Sequence, residues 1–123
     1  MTLKQTRLVT TDVAKLTRFY ETISQSKAEI LNSSFVQFQS EACRGLAIVE
    51  LASTRAYGEG VAESGANRSV ILDFEVDDVD AEYERLQEGV SDWVMQPKVM
   101  PWGARAIVFR DPDGNLINMY SHR

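Results

Sequence analysis

The sequence predicts an α+β fold in which paired βαβββ modules form a cupped, mostly antiparallel sheet. Three observations carry this reading. A strand pattern that runs into an Asp-Val step and then into a helical pattern occurs twice, at Leu8-Val9-Thr10-Thr11-Asp12-Val13 and at Phe74-Glu75-Val76-Asp77-Asp78-Val79. Each helical stretch is followed by three short strand candidates separated by Gly, Asn and Ser. The 123 residues suffice for one domain with a real core and are too few for two ordinary ones. The expected organisation is a first module at 1–51, a connecting segment at 52–67 and a second module at 68–123.

The elements follow in order. Asp12 is a plausible N-cap for a helix whose apolar stripe is Val13, Leu16, Phe19/Tyr20 and Ile23. Strands are then expected near Ala28 to Leu31, Ser34 to Gln39 and Leu46 to Leu51. The segment from Ala52 to Asn67 has three glycines and little periodicity, and it reads equally well as a linker or as a lid over a site. In the second module Asp78 caps a helix with Asp80 and Glu82 at its positive end and Val79, Tyr83 and Leu86 on its apolar face. Strands near Trp93 to Lys98, Ala104 to Arg110 and Leu116 to Tyr120 complete it. The last two are joined by Asp111-Pro112-Asp113-Gly114-Asn115, where Pro112 presets φ for a type I turn, Asp111 can hydrogen-bond across it and Gly114 leaves it without steric cost.

Composition narrows the function. The formal charge of −5, with no Lys/Arg cluster, argues against nucleic acid and mildly favours neutral or cationic ligands. No apolar run approaches the length that spans a bilayer, and the N-terminal residues lack a signal-peptide core, so neither membrane nor export is expected and the location is cytoplasmic by default. Cys43 stands alone and reads as a buried spectator; His122 is the only imidazole and reads as a solvated terminal residue. A His-based triad or a His–His metal face cannot be assembled from one chain.

Strand alternation points to a site. Val70, Leu72, Phe74 and Val76 form a wholly apolar set that should face the helix, leaving Ile71, Asp73 and Glu75 on a mixed face; in the first module Gln5, Arg7 and Val9 are equivalent. A concave surface would then bear Gln5, Arg7, Ile71 and Asp73. Arg7 and Asp73 could hold a ligand or simply neutralise each other.

The segment Phe109 to Tyr120, Pro101-Trp102-Gly103 ahead of it, and Asp12-Val13…Phe19-Tyr20 together resemble the glyoxalase, bleomycin-resistance and dioxygenase superfamily, also called vicinal oxygen chelate proteins. The resemblance covers essentially the whole chain. In metal-using members, ligands come from the first strand of each module, from other inner positions and from a glutamate after the final turn. By that correspondence Gln5 and Ile71 stand at the first-strand positions, Asn118 replaces the terminal glutamate, and only Glu50 matches a position where some members carry a ligand. Two amides, an apolar side chain and one carboxylate make a poor site for Zn, Ni or Fe.

The resemblance therefore implies a metal-free, cofactor-free protein of the resistance type, which sequesters a partly aromatic small molecule in the cup. Trp102, with Trp93, Phe35, Phe38 and Tyr120, would supply stacking, unless Trp102 merely plugs the end of the sheet. The rival reading is a lyase, isomerase or dioxygenase with Glu50 as general base or lone ligand. Expected ligand contacts are Gln5, Arg7, Phe38, Glu50, Ile71, Asp73, Trp102, Asn118 and Tyr120. Related proteins commonly pair two chains, so the resemblance also implies a homodimer.

Overall fold

The computed structural model describes residues 1–122 and divides into two compact units, Met1–Ala66 and Asn67–Arg123. The first unit runs β1 (Thr6–Thr10), α1 (Val13–Ser24), β2 (Glu29–Asn32), β3 (Phe35–Gln37) and β4 (Leu46–Glu50), then a 3₁₀ helix (Leu51–Ala56). The second runs β5 (Ile71–Glu75), α2 (Val79–Arg85), β6 (Asp92–Val99), β7 (Arg105–Arg110) and β8 (Leu116–Ser121). Each unit folds into one four-stranded sheet, ordered β1-β4-β3-β2 and β5-β8-β7-β6. The outer strands are joined through hairpin-like antiparallel pairs, whereas β1 lies parallel to β4 and β5 parallel to β8. A strand followed by a helix must return in this way when the next three strands meander back to it.

Both helices start where the sequence says they should. The Asp12 carboxylate accepts from the Lys15 N–H at 3.0 Å and the Asp78 carboxylate from the Ala81 N–H at 3.1 Å, each satisfying an orphan donor of the first turn. The stripe of α1 packs on β3 and β4, burying Leu16, Phe19, Tyr20 and Ile23 against Val36, Phe38, Leu46 and Ile48. In the second unit Val79 and Leu86 cover Ile107, Phe109, Ile117 and Met119, and Trp93 stacks edge-on between Tyr83 and Phe109 at centroid distances of 4.8 and 5.2 Å.

The turn after β7 is a buried polar knot. Asp111, 3% exposed, accepts at one oxygen from the backbone N–H of Asp113 and of Asn115, both at 2.9 Å, and at the other from the Asn115 side chain at 2.7 Å. The Asn115 amide oxygen in turn accepts from Asn67 at 3.2 Å, which ties the start of the second unit to this turn. Gly114 closes the bend at φ +87, a left-handed conformation that would strain any side chain.

Some boundaries differ from the sequence reading. β3 covers only Phe35–Gln37, and β2 beside it is an edge strand with all four residues exposed. Val70, expected to face a helix, precedes β5 and is 49% exposed, while Leu72 and Phe74 are half-buried as their alternation requires. The segment after β4 does not leave the sheet as plain coil. It coils at once into the 3₁₀ helix, with Thr54 buried and its hydroxyl on the Leu51 carbonyl at 2.7 Å.

Candidate functional site

Because side chains alternate along a strand, register decides what each face offers. In the second unit Ile71 pairs with Leu116, Asp73 with Asn118 and Glu75 with Tyr120, while Val108 faces Asn118 and Ala106 faces Tyr120 across β7 and β8. These residues share the side of the sheet away from α2. All of them except Glu75 line a cavity of about 420 Å³ together with Met100, Trp102, Ala104 and His122. That volume lies in the range of small-molecule sites. Ile71, Asp73, Trp102, Asn118 and Tyr120 thus all line this cavity.

The polar groups of this cavity are few and oriented. The Asn118 side-chain N–H donates to the Asp73 carboxylate at 3.0 Å, fixing both across the central strand pair. The His122 imidazole stands 4.0 Å from the Glu75 carboxylate and meets the Tyr120 ring edge-on at 5.4 Å. The His122 side chain is 72% exposed, in keeping with the expectation of a solvated residue, yet it borders this cavity. The signal that could have placed it is parity, since it continues the series Leu116, Asn118, Tyr120. Trp102 sits in the tight β6–β7 turn, where the Gly103 N–H donates to the Met100 carbonyl at 2.9 Å and Gly103 takes φ +102. Its side chain is 77% exposed, so it plugs no core.

The first unit separates residues that the sequence reading grouped. Arg7 pairs with Ala47 and Val9 with Val49, and Gln37 and Phe35 continue these rows on β3. Gln5 joins this face through its amide, which donates to Gln37 at 3.5 Å. The Arg7 guanidinium donates to the Tyr57 hydroxyl at 3.0 Å and lies 5.4 Å from the centroid of its ring. Glu50 pairs instead with Thr10, and so falls with Leu8 and Ile48 on the side that carries α1. The expected grouping of Glu50 with Gln5 fails by one residue of strand parity. Phe38 is likewise corrected: it is 1% exposed within the core and out of reach of any ligand on the Arg7 face. Trp93 is half-buried and held edge-on between the Tyr83 and Phe109 rings.

The donor chemistry does not fit a transition metal. Ile71 has no donor atom, Asn118 and Gln5 offer only neutral amide oxygens, and Glu50 lies on the opposite side of the sheet from Gln5. Among the described residues no three His, Cys, Asp or Glu side chains are grouped to hold a metal ion.

Three ionisable groups, Asp80, Arg105 and Cys43, are perturbed. Arg105 grips Asp80 through two bonds of 2.7 and 2.8 Å, joining β7 to α2, and this holds the Asp80 carboxyl below its ordinary range. Burial pushes the Cys43 thiol up to about 11, against a smaller lowering by its hydrogen bond with Ser24. Cys43 is therefore an inert thiol at neutral pH.

Two sheets of this topology, each with a capped crossover helix and an open face, define a class, and comparison with known proteins agrees. Residues 3–122 match the glyoxalase-like domain, so the chain belongs to that family, within the vicinal oxygen chelate superfamily. It is 33% identical to YraH, an uncharacterized protein of Bacillus subtilis (strain 168), over 132 residues that cover 98% of each chain. Among solved structures it is similar to a glyoxalase/bleomycin resistance protein/dioxygenase from Nocardioides, with 27% identity, a TM-score of 0.79 and coverage of 98% of this chain and 83% of the other. A glyoxalase/bleomycin resistance protein/dioxygenase family enzyme from Burkholderia phytofirmans PsJN shares the fold with a TM-score of 0.87 over 100% of both chains at 15% identity. No helix among the described residues is long and apolar enough to cross a membrane.

Proposed function

We propose that this chain is a binding protein of its family, which sequesters a partly aromatic, cationic small molecule without a metal on the open face of the second sheet. The observation that carries the reading is the cavity itself. An exposed indole stands at the edge of a pocket whose walls are Ile71, Val108, Leu116 and the Tyr120 ring, and whose fixed charge is the Asp73 carboxylate held by Asn118. A large exposed aromatic beside a concave apolar surface is an anchor waiting for a partner, and stacking on it adds roughly 0.5–1.5 kcal/mol beyond area burial. The carboxylate supplies attraction for a cationic group, in keeping with the net charge of −5. The alternative that uses Glu50 as base or lone ligand has less support, because Glu50 lies on the α1 side of its sheet, away from Gln5 and Arg7.

The test is calorimetric titration with planar aromatic cations and their neutral isosteres, in the presence and absence of EDTA. Cations should bind more tightly, EDTA should change nothing, and Trp102→Ala should weaken binding by about 1–3 kcal/mol. Asp73→Asn should erase the preference for the cation. Equal binding by wild type and Trp102→Ala, or binding that requires added metal, would overturn the proposal.

A further inference from the structure

A second cavity, also of about 420 Å³, lies on the open face of the first sheet. Arg7, Val9 and Val49 line it from the strands, and Thr54, Tyr57 and Val61 from the segment that follows β4. Its chemistry is the reverse of the cavity in the second unit. Arg7 is its only charged group, and among the described residues it forms no ion pair, although acidic side chains outnumber basic ones 18 to 13 in the chain. A guanidinium has five N–H donors, and one hydrogen bond is accounted for, to Tyr57.

The Tyr57 hydroxyl accepts that bond and so keeps its own proton to donate. Thr54 cannot compete, because its hydroxyl proton is given to the Leu51 carbonyl at 2.7 Å. The cavity therefore holds two adjacent donors, one of them cationic, against walls made by Val9, Val49, Val61, Ala62 and the internally bonded Thr54. Donors without acceptors call for an oxyanion, and an apolar wall beside them calls for hydrocarbon. One cation in an acidic chain suits a single negative charge rather than a phosphate dianion, and a planar carboxylate matches the guanidinium fork.

We propose that this cavity binds a small monocarboxylate with a compact branched or aryl body, its carboxylate bridging Arg7 and the Tyr57 hydroxyl and its hydrocarbon resting on Val9, Val49 and Val61. The site is built from residues of the first unit alone and does not depend on the ligand proposed for the second.

The experiment is an amide NMR titration of the full chain with 3-methylbutanoate and benzoate, and with 3-methylbutanamide and benzamide as uncharged isosteres. The acids should shift the signals of Arg7, Val49, Thr54 and Tyr57 saturably, and bind about tenfold or more tightly than the amides, as a charge-assisted pair predicts. Arg7→Met, a change at an exposed position whose folding is verified by the dispersion of the same spectrum, should abolish the preference for the acid. Tyr57→Phe keeps the ring and removes one donor, and should weaken acid binding by about threefold or more. Equal binding of acids and amides, an unchanged preference in Arg7→Met, or no saturable shift at these residues would overturn the proposal. Ligands of the other cavity are read at Trp102, Ala106 and Tyr120, so the two readings fail separately.

Discussion

The two units repeat one backbone plan and diverge on the faces they leave open. Aligning Leu8 with Phe74 places Arg7 and Asp73 at equivalent positions of β1 and β5, one strand carrying a cation and the other an anion. In the first unit the chain after β4 turns back over the sheet and sets Tyr57 on Arg7. In the second, Asp73 is held by Asn118 from the neighbouring strand, and the aromatic at the edge, Trp102, is left 77% exposed. The lesson is that the repeat fixes which positions point outward, while their chemistry is free to differ. A duplicated fold thereby offers two unlike surfaces.

The contrast between core and site aromatics can be broken most forcefully at Phe38. Phe38→Ala, at a residue with 1% exposure, should cost about 3–5 kcal/mol in denaturant unfolding, whereas Trp102→Ala should change stability by less than about 0.5 kcal/mol. A reversal of that order would exchange their roles.

The Asp111 knot has no counterpart in the first unit's strand connections. Asp111→Ala leaves the Asn115 side chain and two backbone N–H groups without their acceptor, and should destabilise by about 2–4 kcal/mol, measured by chemical denaturation. Asp111→Asn, which can restore only part of the set, should fall between.

Cys43 sharpens the comparison through pH, because the only cysteine belongs to the first unit. Its folded value of about 11 lies above the ordinary thiol value of 9.0, so between these values the unfolded chain has lost a proton that the folded one retains. Stability should thus fall as pH rises from 9 towards 11, by up to about 2–3 kcal/mol. Cys43→Ala should remove that slope; thermal unfolding across alkaline pH reads it.

The smallest effect concerns how the two helices end. Gln25 closes α1 at φ 53, whereas Leu86 closes α2 at φ −92 in an ordinary conformation. Gln25→Gly should therefore stabilise by about 1 kcal/mol in the same denaturation assay, and Leu86→Gly should only destabilise.

Much of this was legible in the sequence. The Asp-Val steps marked both helix starts because a carboxylate at an N-cap answers a local need, and the Asp111 turn announced itself through Pro112 and Gly114 for the same reason. Part of the second open face was also readable, since Ile71 and Asp73 follow from alternation on β5, whereas Asn118 and Tyr120 were reached through the family resemblance. Glu50 and Phe38 were not. Both lie near strand ends, where the apolar pattern on β4 is continuous and gives no parity, and only pairing with β1 and β3 decides the face. The 3₁₀ helix escaped for a related reason: six residues of mixed polarity carry no period, and their placement depends on the sheet they cover.

The parallel pairing of first and last strands has a consequence in time. β1 has no sheet partner until β4 arrives and stays an edge strand afterwards, while β4 supplies the ladder that joins β1 to β3. The first sheet can therefore close as soon as residue Glu50 has been synthesised, while β5 waits until Leu116–Ser121 are available. Contacts of such sequence separation are slow to form, so a nascent chain passes through a stage in which all four strands of one half can pair while β5 of the other still lacks its partner. Vectorial synthesis, through this single topological feature, sets the order in which the two halves mature.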